Sequence, residues 1–237
     1  MEVAVCFLVG YLVGTFNPSY IIAKMKGFNI KKRGSGNAGG SNALITMGKP
    51  IGALCMVIDI LKAYVIIKLM WHFFPNFSLC FPITAGACIL GHIFPFYMHF
   101  EGGKGLACMG GAMMAYSVKA FLIAITIAAF VAFLIDYICV VPITASAILP
   151  ILYGVAENDA VGGVALGIVG IVIIWKHREN IYRIRNGSEL HLSYLWNKEK
   201  ELQRQKEARA HGENLKEALG SEFMEIADQD MEKGTKA

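Results

Sequence analysis

Charge is almost missing from the first three quarters of this chain, and that absence decides which solvent the fold requires. Residues 1–175 carry 10 of the 22 Lys/Arg and 6 of the 18 Asp/Glu; residues 176–237 carry the other 12 of each. With 17% charged residues against a soluble norm of roughly 25%, a soluble globule, a disordered chain and a nucleic-acid binder are poor readings. The apolar residues fall in long runs at about 3–23, 50–71, 79–98, 106–135, 138–156 and 160–175. Lipid is the solvent such runs need.

Positive charge sets the number of crossings. If 106–135 were one span, Lys176, Arg178, Arg183 and Arg185 would emerge opposite Lys24 to Arg33. A break near Ser117 to Lys119 returns both basic clusters to the cytoplasm, with the N-terminus outside and an uncleaved first span. Lys119 then snorkels at the outer surface. The expected fold is all-α: a polytopic membrane protein of seven transmembrane helices with cytoplasmic Gly-rich loops. Residues 1–190 form its membrane domain, and 191–237 a charged cytoplasmic tail. Within that tail, 198–219 reads as a solvated helix with mixed i,i+4 pairs. Cys6, Cys55, Cys88, Cys108 and Cys139 lie in apolar runs, Cys80 lies near a loop, and no C-x-x-C occurs, so buried free thiols are expected.

Three polar segments carry the chemistry. Gly34, Gly36, Gly39 and Gly40 follow Lys31, Lys32 and Arg33, while Gly102, Gly103 and Gly105 surround Lys104. Glycine lets backbone N–H groups turn toward an anion, and Ser35, Asn37, Ser41 and Asn42 add donors. In the third segment, Lys176 to Glu189, helical spacing puts His177, Asn180 and Ile184 on one face. Two basic glycine loops and a basic helix end on one membrane face point to an anion site, with phosphate the obvious anion. GGKG is not a P-loop: Met98 stands where the first Gly belongs and Gly105 where a Ser or Thr belongs. Asp59 and Lys62 sit mid-span, where each charge costs about 2.5–3.5 kcal/mol to insert, so both must face protein or water. They pair at i,i+3 or wall an active site. His92 and His99 have no metal-ligand spacing, and His92 is expected to satisfy a backbone or helix-end group.

GSGNAGGSN (Gly34 to Asn42), GHIFPFYMHFEGGKGLA (Gly91 to Ala107), KHRENIYRIRNGSE (Lys176 to Glu189) and DILK (Asp59 to Lys62) together resemble the bacterial integral-membrane acyl-phosphate–glycerol-3-phosphate acyltransferase family. The resemblance covers about 1–190. It implies transfer of a fatty acyl group from acyl phosphate to the 1-hydroxyl of sn-glycerol 3-phosphate, giving lysophosphatidic acid for phospholipid synthesis. It implies a multi-pass protein of the bacterial inner membrane among lipid, with a cytoplasmic site and no metal or organic cofactor. The family's functional positions map to Ser35, Lys104, His177 and Asn180. Gly34, Gly36, Asn37, Asn42, Gly102, Gly103, Gly105, Asp59, Lys62 and Glu189 map as substrate-binding. Ile45 replaces the family's usual Arg, Cys108 a usual Thr and Lys176 a usual Arg. Three alternatives stay open: a divergent paralogue with another acceptor or donor, an organic-phosphate transporter, and a scaffold recruiting partners through 198–219. Against the transporter, polar residues are sparse in the outer half of the spans.

Overall fold

The first apolar run is two helices rather than one. In the computed structural model, which describes residues 1–197, 199–204, 206–208 and 210, α1 (Glu2–Thr15) stops before Asn17 and α2 (Pro18–Met25) begins after it. Pro18 has no N–H to continue the ladder, and the Asn17 side chain caps the new helix by accepting from Tyr20 N at 2.8 Å. After a polar loop come α3 (Gly40–Met47), α4 (Lys49–Phe73) and α5 (Cys80–Ile93). The 106–135 run breaks where expected: Ser117 is extended (φ −155°, ψ 116°) between α6 (Leu106–Tyr116) and α7 (Val118–Ile135). Then follow α8 (Val140–Ala156), α9 (Ala160–Lys176) and α10 (Arg178–Arg185). The described residues contain no strand.

Four of these stretches are long and apolar enough to cross a membrane: Glu2–Met25, Lys49–Phe73, Cys80–Met98 and Val118–Ile135. Helices α8 and α9 have 17 residues each and α6 has 11. At 1.5 Å per residue, α6 spans about 16 Å, roughly half of a bilayer's hydrocarbon core.

The described chain forms two compact units. The first comprises Met1–Val131 and Cys139–His177. Within it α1 lies along α5, α4 against α6 and α3, and α8 along α9. Backbones approach closely: a Cβ on Gly14 of α1 would stand 2.2 Å from the Cys88 carbonyl oxygen of α5. Cys6, Ile67, Cys88, Ile93 and Ile173 are among the side chains of this core. Most of α7 is exposed, with Leu122, Ile123, Phe130 and Phe133 outward, an apolar surface suited to lipid. All six cysteines are buried and free, as expected; Cys80 opens α5 with its Sγ 3.8 Å from that of Cys6.

The second unit joins Ala132–Ile138 to the described residues from Arg178 on. The tail departs here from a solvated extension. A 3-10 turn at Leu192–Leu195 buries Tyr194, Leu192 N donates to Asp136 O at 2.8 Å, and Glu201 is buried. The physical reason lies in a few anchors, Tyr194, His191 and Glu201, set among the charges. Residues 199–204 and 206–208 are helical, as expected for them; 211–219 lie outside the described residues.

Gly14→Val should cost roughly 1–3 kcal/mol of stability by overpacking the α1–α5 contact. Thermal unfolding in detergent checks this, and a Tm equal to wild type would mean the helices separate freely.

Candidate active site

Asn42 organises the first glycine loop from inside. Fully buried at the start of α3, its amide donates to the carbonyls of Ile30 (3.1 Å), Arg33 (3.0 Å) and Asn37 (2.8 Å), and its Oδ1 accepts from Ser35 N at 2.8 Å. Gly34 has φ +59°, and a Cβ there would strike Asn42 Oδ1 at 2.2 Å. The loop must therefore close over Asn42 with glycine at that point. Ser35 is left exposed at its tip, with Asn37 partly buried. Asn17, buried at the α1–α2 break, ties this loop to the first span by donating to Ala38 O at 2.8 Å. Sequence reasoning passed over Asn17, although Asn-Pro after an apolar run is a cap signature.

The second loop folds back onto the end of α5. Gly102 N donates to Ile93 O (2.9 Å) and Gly103 N to His92 O (3.0 Å). These two glycines were expected to turn their N–H groups toward a ligand; the structure corrects this. They are glycines because a Cβ on Gly102 would meet the His92 carbonyl at 2.1 Å, and one on Gly103 the His92 ring at 2.0 Å. Gly105 starts α6 with φ +94°, against Ile89, Ile93 and Ile173. Lys104, between them, is partly buried.

His92 itself supports neither a backbone nor a helix end, contrary to expectation. Its Nδ1 lies 3.1 Å from Lys62 Nζ and 3.3 Å from Asp59 Oδ1. Lys62 pairs with Asp59 at 2.7 Å, as the i,i+3 spacing foretold, and also donates to the carbonyls of Gly14 (3.0 Å) and Phe16 (2.5 Å) at the end of α1. All three side chains are buried. Asp59, His92 and Cys108 place ligand atoms within 4.8 Å of one another, a spacing a metal could use, but the Lys62 ammonium already brings positive charge to Asp59 and His92. The sequence pattern offered no sign that His92 joins this group.

The loops meet one another and α9. The Cβ position of Gly39 lies 3.9 Å from Gly103 Cα, and Lys31 donates to Glu101 Oε2 (2.5 Å) and Met98 O (3.3 Å). Lys31, by that hydrogen bond and by its charge, holds the exposed Glu101 carboxyl below its ordinary range. A Cβ on Gly105 would meet Ile173 at 3.4 Å, and the Ile173 carbonyl lies 2.8 Å from Nδ1 of the buried His177. That contact places the proton on Nδ1, leaving Nε2 the basic nitrogen of the neutral ring. Lys176 lies over the Phe94 ring at 5.3 Å.

In the second unit, Asn180 is buried and donates to Glu189 Oε1 at 2.6 Å, while Arg183 Nε donates to Glu189 Oε2 at 2.6 Å. Both Glu189 carboxylate oxygens thus engage internal donors.

Beneath the second loop an apolar cavity of about 230 Å³ lies among α5, α6, α8 and α9. Ile89 and Ile173, the residues under Gly105, line it, as do Phe81, Tyr116 and Tyr153, whose rings pack at centroid distances of 5.2 to 5.7 Å. An apolar cavity of about 150 Å³ accepts benzene.

The spans thus form a helical membrane protein with two basic glycine loops, the second seated at the ends of α5 and α9, and an apolar cavity below that second loop. The pattern of the family described as glycerol-3-phosphate acyltransferase matches residues 4–187. The chain belongs to that family. A glycerol-3-phosphate acyltransferase of Geotalea daltonii is 31% identical over 80% of this chain and 97% of its own length. One of Bacillus subtilis is 29% identical over 82% and 100%. The crystal structure of PlsY (YgiH), an integral membrane glycerol 3-phosphate acyltransferase, in its glycerol 3-phosphate form superposes with a TM-score of 0.74 at 29% identity. It covers 82% of this chain and 98% of that one; the lysophosphatidic acid form gives 0.72.

Lys62→Met should destabilise by about 3–5 kcal/mol, because it strands the Asp59 carboxylate in the interior. The double change Asp59→Leu with Lys62→Met should recover part of the loss. Unfolding in detergent measures both, and an undisturbed single variant would mean that Asp59 is satisfied without Lys62.

Proposed function

We propose that the protein transfers a fatty acyl group from acyl phosphate to the 1-hydroxyl of sn-glycerol 3-phosphate at the cytoplasmic face of the membrane. The products are lysophosphatidic acid and inorganic phosphate. The observation that carries the reading is the meeting of the Gly34–Asn42 and Gly102–Gly105 loops, the second of them against the end of α9 that leads to His177, in a chain of this family.

Both substrates bring phosphate, so the site must hold two anions close together, which charge-assisted donors do best. Lys104 and the exposed Ser35 are the proposed phosphate contacts, with Asn37 and the loop backbone at Gly34, Gly36 and Gly105 shaping the cradle. Asn42, Gly102 and Gly103 serve by holding the loops, and Asp59 with Lys62 by bracing the spans beneath them. Asn180, the functional position that the family resemblance adds in the second unit, is kept in place by Glu189. The acceptor oxygen attacks the acyl carbonyl carbon; the tetrahedral intermediate then collapses and the C–O bond to phosphate breaks. The hydroxyl proton passes to a phosphate oxygen, with His177 Nε2 as the protein alternative. Acyl phosphate already carries a good leaving group, so orientation and oxyanion stabilisation supply most of the catalysis. No acyl-enzyme is needed. The acyl chain occupies the cavity under Gly105, with its far end against Tyr116 and Tyr153.

Purified protein given glycerol 3-phosphate should form lysophosphatidate from acyl phosphate and not from acyl-CoA. Lys104→Ala should lower kcat/KM tenfold or more, about 1.4 kcal/mol, whereas the exposed Lys119 should be replaceable by Ala within twofold. Equal, small effects would reduce GGKG to a helix connector.

Tyr153→Ala deepens the cavity and should raise the kcat/KM ratio of long against short acyl phosphates about tenfold or more. An apolar pocket discriminates roughly 1–3 kcal/mol per methylene. An unchanged chain-length profile would place the acyl chain elsewhere.

A further inference from the structure

The family match ends at residue 187, yet the residues just beyond it are bound tightly to the third polar segment. The Gly187–Glu189 turn has Gly187 at φ +65°, and Ser188 N and Glu189 N both donate to Arg183 O, at 2.8 and 3.1 Å. One tail side chain spans this turn. The Arg204 guanidinium donates through Nη2 to Glu189 O at 2.5 Å and through Nη1 to Gly187 O. It donates also to Glu201, with Nε at 2.9 Å from Oε2 and Nη2 at 2.5 Å from Oε1.

Glu201 is buried, an uncommon setting for a carboxylate unless it is paired. It accepts in addition from His191 N at 2.9 Å. The segment is pinned on its other side: His191 Nδ1 lies 3.2 Å from Asp136 Oδ2, His191 Nε2 lies 3.0 Å from Tyr137 OH, and Ser193 N donates to Asp136 Oδ1 at 3.0 Å. One carbonyl held by Arg204 belongs to Glu189, whose carboxylate holds Asn180 and Arg183, and the other to Gly187, two residues before it.

We infer that Arg204, oriented by Glu201, is a positioning residue that clamps the Gly187–Glu189 turn and so fixes the Glu189 carboxylate that holds Asn180, a proposed functional position, and Arg183. The inference rests on the proposed function for the last link, and on geometry alone for the clamp. A planar guanidinium suits the task, because its fixed fork reaches two carbonyls and a carboxylate at once. A Lys ammonium in its place could satisfy one carbonyl and leave the turn free to pivot.

The test uses the full-length protein. Arg204→Ala should raise KM for glycerol 3-phosphate about five- to tenfold, leave KM for acyl phosphate within twofold, and shift Tm little. Amide exchange should quicken over Gly187 to His191 and stay unchanged in α1, α4 and α5. Arg204→Lys should recover only part of the KM, and Glu201→Gln should fall between Lys and wild type. Faster exchange with both KM values unchanged would overturn the positioning role. A drop in kcat, both KM values and Tm together, fully restored by Lys, would reduce Arg204 to a general stabiliser and overturn it as well. If wild type makes no lysophosphatidate, the functional reading fails and the link to substrate with it, while unchanged exchange in Arg204→Ala would overturn the clamp itself.

Discussion

A single ammonium group inside a membrane bundle dictates much of the surrounding architecture. Lys62 cannot reach water from its buried place on α4, so the fold must bring it partners. It brings Asp59 from the same helix, His92 from α5, and the carbonyls of Gly14 and Phe16, which are unpartnered by α1 because that helix ends there. The break at Asn17–Pro18 has a use beyond turning the chain: it releases backbone oxygens where a buried cation needs them. Removing either the break or the cation leaves the other with an unmet polar group.

The glycine loops inherit their position from this arrangement. His92 touches Lys62 on one side of its ring, while Gly103 lies against the other nitrogen and donates to the His92 carbonyl. The second loop is thereby seated on the brace, and Gly39 and Lys31 seat the first loop on the second. Rigidity passes from the apolar interior to the polar surface through contacts too close for any side chain larger than hydrogen. This is how loops rich in glycine, which have the most conformational freedom to lose, can hold charged groups in fixed places.

Much of this was legible in the sequence because lipid and charge impose coarse rules. The runs, the break near Ser117, the Asp59–Lys62 pair and the meeting of the two glycine segments follow from hydropathy, snorkelling, helical spacing and the positions of Lys and Arg. The purpose of individual glycines was not legible. Composition could say that Gly102 and Gly103 permit unusual approaches, but not that the approaching group is His92 rather than a ligand. Asn42 reads as a surface donor in a polar string, yet it is the buried centre of its loop, because a string carries no information about which residue the others will wrap. The tail misled for the opposite reason: its charges promise solvation, and only tertiary pairing reveals that Glu201 and Arg204 satisfy each other and the turn at Gly187.

The six free thiols are protected by burial rather than by bonding, and they are spread over α1, α4, α5 and α6 and the short link before α8. Cys6 and Cys80 sit together where α1 meets the start of α5, and Cys108 lies beside the Asp59 and His92 side chains. A membrane-permeant alkylating reagent therefore meets a protein whose every thiol is dark until the segment around it opens. The order in which the six react, read by mass, is a record of which helix contacts loosen first, written by the native chain without an engineered label.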